Sequence, residues 1–528
     1  DGLEISNMRF LNNSAGGNGT YGGAIHADLE VGDTASISEL IISNPEFIAN
    51  NAHAGGALAV SGEYPVTITD ALFHQNSSII SGGAIYRHNS SRNLFNAHLD
   101  ITRSLFTESS SNTQGGAISV DLTYLNIDQS GFFDNKGQNV LNVNRSVSTI
   151  QNSLFAENPV TRVILHNNIT GSAESTELTL AFNTFLDNQN MDLENSSSGA
   201  DLTTFLLGNV FDSDIDVQCS GVGSLSLGFN MERFGASCSS GSNDFFNTDP
   251  LLLPLALYDG DRLMAPLSPI SPAVDAGSGC GSDDYSGEGR SRDGDASGTA
   301  QCDIGAVERP DAVNLNVAHT GNGDGQVNLT EFAMVCYSLD DCDWPLETGL
   351  TYLLEPVADT GSQFIGWGGG CSGTSNCLIT MNSAQNVTAE FALVTNPVTL
   401  TVNTFRTENY QQATVSSNPA GISCGSTCSF DFEENETVVL TANPQPDTVV
   451  DYWDNCHEVS VDGLSCTVYL GSVDEQIELY LDTHPDIIFK TRKLDFRNTF
   501  IHFSDRNGFQ NITNTNRYSY VILRKYLA

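Results

Sequence analysis

Lysine is nearly missing from most of this 528-residue chain: Lys136 is the only one before residue 490. Schiff-base and lysine-base chemistry therefore have almost no candidate over nine-tenths of the sequence. Positive charge as a whole is scarce, with 21 Lys and Arg against 64 Asp and Glu and a net charge of −43. Repulsion of that size excludes nucleic acid and anionic membrane surfaces as natural partners. Long apolar runs are absent too. The longest, Leu251 to Leu257, is broken by Pro254 and falls far short of the roughly 20 residues that span a bilayer, so no membrane insertion is expected. Helical periodicity, a serine elbow and a zinc-protease motif are also lacking.

What is present is a repeat. Phe followed three residues later by Asn recurs at Phe10/Asn13, Phe47/Asn50, Phe73/Asn76, Phe132/Asn135, Phe155/Asn158 and Phe185/Asn188, with Phe106/Ser109 and Phe211/Asp214 as variants. The steps average about 29 residues, one coil each. Short alternating segments such as Val66-Thr67-Ile68, Leu99-Asp100-Ile101 and Leu125-Asn126-Ile127 precede each Phe and read as strands with one buried face. One coil cannot bury its own apolar face, but stacking sets each Phe on the next and pairs every strand above and below. The Asn positions are assigned to the turn, where the amide tolerates left-handed backbone and bonds to its counterpart one coil away. A second repeated element is Gly-Gly-Ala before a strand, at Gly22-Gly23, Gly55-Gly56, Gly82-Gly83 and Gly115-Gly116. No Lys or helix signal follows these pairs, so they mark bends and not a phosphate cradle.

On these motifs the first 235 residues resemble right-handed parallel β-helix proteins, a group holding pectate-lyase-like enzymes, tailspike-like hydrolases and outer-membrane surface proteins. Farther on, Asp249-Pro250, "SPAVDAG" from Ser271, Arg292-Asp293-Gly294 and "CDIGA" from Cys302 resemble the choice-of-anchor Q domain of bacterial surface proteins. That resemblance implies a segment that completes and caps the C-terminal end of the β-helix. Two further stretches resemble the divergent internalin B-repeat. The first carries Gly366-Trp367, Cys371, Cys377 and the closing "NVTAEF"; the second carries Cys424, Cys428, Trp453, Cys456 and Cys466. Trp367 and Trp453 are expected in the cores of small β modules, the alternative being sugar platforms.

The expected fold class is thus all-β: a right-handed parallel β-helix (solenoid) followed by two small disulfide-stapled β modules. The expected division is 1–243 β-helix, 244–310 cap, 311–394 and 397–482 repeat modules, and 483–528 a basic tail. The tail carries 8 basic and 3 acidic residues, the reverse of the balance before it, and could dock on the acidic body. Twelve Cys fall in neighbouring pairs, giving Cys219–Cys238, Cys280–Cys302, Cys336–Cys342, Cys371–Cys377, Cys424–Cys428 and Cys456–Cys466 as expected disulfides of an exported protein. The sequence opens at Asp1 inside the repeat, so an export signal is expected upstream, and an extracellular or outer-membrane-associated location follows.

The function expected is structural or adhesive, with glycan or surface protein as partner. The competing reading is a β-helix lyase or hydrolase acting on a polysaccharide, which needs clustered carboxylates and a basic residue on one wall. Its candidates are Asp100, Asp121, Asp128 and Arg103, with Asp70 and Arg87 nearby. No cofactor is expected beyond Ca²⁺, for which Asp283, Asp284, Asp293, Asp295 and Asp303 are the candidate ligands. The competing role for those aspartates is in turns.

Overall fold

The fold is that of a computed structural model. It describes residues 2–28, 39–89, 97–168, 176–197, 201–258 (less 222 and 239), 262–394, 397–406, 413–446 (less 425 and 426) and 448–483, and the backbone of 504–505 and 508–509. Residues 1–393 and 394–528 are separate compact units.

In the first unit the alternating segments form a parallel β-helix. Among the described residues its walls are a nine-stranded sheet from Leu3–Ser6 to Ser224–Gly228, a ten-stranded sheet from Arg9–Leu11 to Phe245–Phe246, and an eight-stranded sheet from Ile25–Asp28 to Cys219–Gly221. Register in these walls is one-to-one up to a bulge at Leu206/Leu207 in the last pairing of the nine-stranded sheet, so like residues stack on like. Ile42, Ile68, Ile101, Ile127 and Ile150 form one inward column. Eight Phe rings from Phe10 to Phe211 form another, with successive centroids 4.6–5.0 Å apart and planes within 9° of parallel. That spacing is the distance between hydrogen-bonded strands, so the sheet itself sets the ring stack.

The asparagines of the repeat differ from expectation in two respects. The left-handed residue is the one before each of them, at Asn12, Ala49, Gln75, Asp134, Glu157 and Asp187. The asparagine then turns inward: Asn50, Asn76, Asn135 and Asn158 are fully buried. Each Oδ1 accepts from the preceding coil, as in Asn135 N to Asn158 Oδ1 at 2.9 Å and Asn158 N to Asn188 Oδ1 at 3.2 Å, while Nδ2 also donates to the carbonyl of a Phe, as Asn158 does to Phe132 at 3.0 Å. Asn13, expected to match the others, is the second departure, because it is exposed. It still donates its N and Nδ2 to Asn50 Oδ1, at 3.0 and 2.8 Å, and so belongs to the ladder. Burying a rung takes a coil on both sides, and the described coils lie on one side of Asn13 only. The last rung is Ser213, which accepts from Asn188 N at 3.3 Å; Asp214, expected there, is exposed. A second ladder, unread in the sequence, follows the next corner through Ser104, Ser130, Ser153, Asn183, Asn209 and Asn230.

Both ladders point their donors toward later coils, so their C-terminal ends need acceptors. Aspartates supply them. Asp192 Oδ1 accepts from Asn188 Nδ2 and Ser213 Oγ, both at 3.1 Å, and Asp244 Oδ1 accepts from Asn230 N at 2.8 Å. A carboxylate, which offers only acceptors, suits a terminus that would otherwise expose N–H groups.

The glycine pairs divide their work. Gly22, Gly55, Gly82 and Gly115 have φ of 63–66°, whereas a Cβ on Gly56 or Gly83 would collide with the carbonyl oxygen of the matching glycine one coil on. The first glycine turns the chain and the second lets coils approach.

Residues after 249 do not lie over the last coil as the expected cap would. They run back along the outer face of the ten-stranded sheet as a side strap. Leu252, Met264, Ala265, Tyr285, Ala306 and Val307 cluster with Phe133, Leu154, Ala156 and Leu186, and Ala273, Val274 and Ile304 with Val210 and Met231. These wall residues flank the stacked Phe. The equivalent pairs on earlier coils are mixed, Arg9 and Leu11, Glu46 and Ile48, Leu72 and His74, Leu105 and Thr107, and Leu105 also packs against the strap cluster.

Residues 312–393 then form two four-stranded sheets, and 397–483 repeat the arrangement in the second unit with one further short strand, Glu458–Val459, on the second sheet. In each, the first strand (Ala312–Gly321, Pro397–Arg406) pairs antiparallel with the fourth and parallel with the last. Trp367 and Trp453 sit in equivalent strands, buried, each donating its indole N–H to a loop carbonyl: Ser375 at 2.7 Å and Gly463 at 3.1 Å. Disulfides Cys371–Cys377 and Cys456–Cys466 close those loops, and Cys219–Cys238, Cys280–Cys302 and Cys336–Cys342 are also formed. The expected Cys424–Cys428 pairing lies outside the described side chains.

Two outcomes follow. Asn158→Ala should destabilise the first unit by about 2–4 kcal/mol, because it strands the Asn135 N–H and the Phe132 carbonyl in the core; Asn158→Ser, which keeps an acceptor as Ser213 does, should cost about 1 kcal/mol, both read by denaturant unfolding. His166 is buried inside the tube with Nδ1 2.9 Å from Thr204 Oγ1, and burial lowers its pKa to about 4. The unfolded chain takes up a proton below about pH 6.5 and the folded chain does not. Stability should therefore fall by up to about 3 kcal/mol between pH 6.5 and 4, and His166→Gln should remove that part of the acid dependence.

Candidate functional site

The candidate acids of the enzymatic reading do not meet. Asp100 and Asp128 lie on the outer face of the nine-stranded sheet: Asp100 pairs with Asn126, and Thr102 with Asp128, so the two are one strand and two residues apart. Arg103 follows at the corner and is held by Asp70 in a two-pronged pair at 2.8 and 2.9 Å, an exposed arrangement whose hydrogen bond holds the Asp70 carboxyl below its usual range. Asp121 is on another wall, at the end of a strand of the eight-stranded sheet. It receives Arg145 Nε at 2.8 Å, Asn144 Nδ2 at 2.8 Å and lies 3.1 Å from His88 Nδ1. Burial pushes its carboxyl up, but His88 and Arg145 together outweigh burial and hold it low. Such a group stays ionised and fixed, which suits a structural pair better than a general acid. Arg87 points into the tube, fully buried, with Nη2 on the Tyr64 carbonyl at 2.6 Å.

Four carboxylates raised by burial, Asp192, Asp212, Asp303 and Glu308, are bonded into the framework. Asp192 ends the first ladder and is raised well above its ordinary value. Asp212 is raised to about 6 by burial although Arg233 lies 3.0 Å away. Asp303 and Glu308 are raised by burial within the strap. There Glu308 shares a buried ion pair with Arg290 at 3.4 Å, and Arg290 reaches the wall through Asn152 Oδ1 at 3.0 Å and stacks over the Phe182 ring at 4.9 Å.

The aspartates expected around Ca²⁺ are separated. Asp284 is buried, its Oδ1 accepting from the backbone of Ser286 and Glu288 and its Oδ2 from Glu308 N, and Asp303 is spent on Asp275 N and Arg309 N. The carboxylates that do converge are Asp275, Asp293 and Asp295, with oxygens within 4.8 Å of one another. Asp293 and Asp295 were read from the sequence; Asp275, in the "SPAVDAG" turn, was not, and Asp283 and Asp284 fall outside the group. Asp275 is raised by burial, to which its two acidic neighbours add. Three carboxylates at that distance have the hard-oxygen chemistry that Ca²⁺ takes.

The surface with the most regular chemistry is the outer face of the nine-stranded sheet. Thr67, Asp100, Asn126, Thr149 and Thr179 form one outward column, and Thr69, Thr102, Asp128 and Gln151 the next. All nine are half-buried, so this wall is a strip of hydroxyls, amides and two carboxylates. The columns repeat every ~4.8 Å across coils and ~6.8 Å along strands. The polar members of the alternating segments "LDIT", "LNID" and "STIQ" are its signature in the sequence. An open cleft of about 220 Å³ at the last coils is lined by serines, glycines and the Cys219–Cys238 disulfide. Among the described residues no helix is long and apolar enough to cross a membrane.

The model of the divergent InlB B-repeat domain matches residues 345–395, the second half of the first repeat module. No curated protein matches. Among solved structures, the TIE protein of Bacillus anthracis is similar at 8% identity over 34% of this chain and 35% of that one, with a TM-score of 0.22. The minor pilin GBS52 of Streptococcus agalactiae is similar at 6% identity over 34% of this chain and 100% of that one, with a TM-score of 0.15. A shaft pilin spaA variant from Lactobacillus rhamnosus GG is similar at 9% identity over 33% and 97%, with a TM-score of 0.13. The match spans about a third of the length of the Bacillus protein.

Proposed function

We propose that this chain is an exported bacterial structural or adhesive protein whose β-helix wall contacts a glycan or a surface protein. The observation that carries the reading is the two-column polar strip from Thr67 to Thr179. It presents hydrogen-bonding groups at a fixed repeat on a wall whose inner side is locked by stacked Ile, an arrangement that needs no loop movement to bind an extended, repeating ligand. In this reading the two β modules serve as a stalk, the second as a further copy of the B-repeat, and 244–310 as a choice-of-anchor-Q-like segment. The InlB B-repeat match and the disulfides support an extracellular setting.

Incubation with a panel of neutral and acidic polysaccharides, with and without Ca²⁺, separates attachment from catalysis when retained ligand and new chain ends are followed together. Retention without new ends, weakened about tenfold by Asn126→Ala with Gln151→Ala, is the expected result. Chain ends that vanish on Asp100→Asn or Asp128→Asn would replace attachment with polysaccharide cleavage.

A further inference from the structure

The two β modules make an internal comparison possible. Val317 pairs with Cys342 and Val387 in the first, as Val402 does with Cys428 and Ile477 in the second, and the same bulge interrupts both pairings of the sixth strand, at Phe364/Gly366 and Val450/Tyr452. Residues can therefore be matched one for one. On the outer sheet face, where the first module has Thr320, Glu390 and Gly366, the second has Phe405, Tyr480 and Tyr452. Phe405 and Tyr452 are 42% and 49% exposed, and the rings stack across three strands, with centroids 5.1 Å (Phe405–Tyr480) and 4.4 Å (Tyr452–Tyr480) apart. One residue pair along, Asp454 sits directly opposite Glu478 on neighbouring strands, where the first module has Gly368 and Thr388. Opposed like charges weaken a strand pair, and exposed aromatic rings gain little from folding. The same fold forms in the first module without either feature.

Tyr480 is stacked on both sides, while Tyr452, 49% exposed, keeps its outer side on the edge strand Thr448–Asp454. A ring so placed beside two carboxylates suits a cation.

We propose that this face holds the basic tail of the same chain, through Lys490, Arg492, Lys493 and Arg497. The strand Glu475–Thr483 that carries Glu478 and Tyr480 runs directly into that tail. Residues 484–489 can reach about 20 Å, and Glu478 lies about 17 Å back along the strand, so the basic run can return to the row. The tail has 8 basic residues against 3 acidic, on a chain whose net charge is −43, and tethering raises its effective concentration at a face so close by.

Limited trypsin digestion of the full chain tests this, with cuts between residues 490 and 497 followed by mass spectrometry. At low salt, cleavage there should be about tenfold slower than in the free peptide 484–528, and the protection should disappear at high salt. Tyr452→Ser with Glu478→Gln should abolish it, as should Asp454→Lys alone, with thermal unfolding of each variant confirming the fold; Phe430→Ser, exposed but outside the row, should keep it. A parent chain cut as fast as the free peptide would overturn the proposal, and so would protection that persists in the face variants. An unprotected tail combined with binding of an added arginine-rich peptide that the face variants lose would assign the face to a foreign cationic partner instead.

Discussion

Every coil in this β-helix is an incomplete structure. It has no second layer of its own, so each apolar side chain must lie on its counterpart ~4.8 Å away, and each strand must find its hydrogen bonds in the next coil. The Phe and Ile columns, the glycine pairs and the two amide ladders answer that one constraint. It also creates a problem at the end of the stack, where a ladder running in one direction leaves its last donors unmet. Asp192 and Asp244 meet them, and the Cys219–Cys238 disulfide ties together the coils they close.

The walls have separate duties. The ten-stranded wall is mixed polar and apolar on early coils, and its later part, from Phe133 to Met231, is an interface with the strap. Arg290, buried with Glu308 and reaching Asn152, fixes the strap to that interface. Replacing Arg290 alone would leave buried carboxylates without their cation, so the pair makes the docking position specific more than it adds stability. Arg309 continues the line into the first β module through the Pro345 carbonyl at 3.0 Å. The nine-stranded wall is left with its polar columns facing outward, the surface an extended ligand would meet.

Much of this was legible in the sequence, because a solenoid writes its period into the chain. The Phe column and the Asn at each coil can be read directly, and so can the two repeat modules with their Trp and Cys. The exceptions have physical causes. The left-handed corner residue is chemically varied, Ala49 and Glu157 among them, so the regular Asn beside it drew the assignment. Asn13 carries the same letter as the buried rungs yet is exposed, because burial depends on the coils around a residue and not on its own type. The second ladder mixes Ser and Asn and so has no single letter to repeat. The strap's position left no separate sign, because apolar residues flank the Phe on early coils too, as Leu11 and Ile48 do. Asp275 was missed beside Asp293 and Asp295 because convergence of carboxylates across 20 residues is a property of the folded turn, not of spacing.

The most direct test of this account is amide hydrogen exchange at the ladder positions. The N–H groups of Asn50, Asn135, Asn158, Ser153, Asn183 and Asn209 bond to a side chain one coil away and belong to turns between strands. If the ladders hold the stack together, these amides exchange as slowly as those of the Ile column strands, through unfolding of the coils they join. Exchange at the rate of ordinary surface turns would show that the strands hold the β-helix alone and that the ladders only fill its corners.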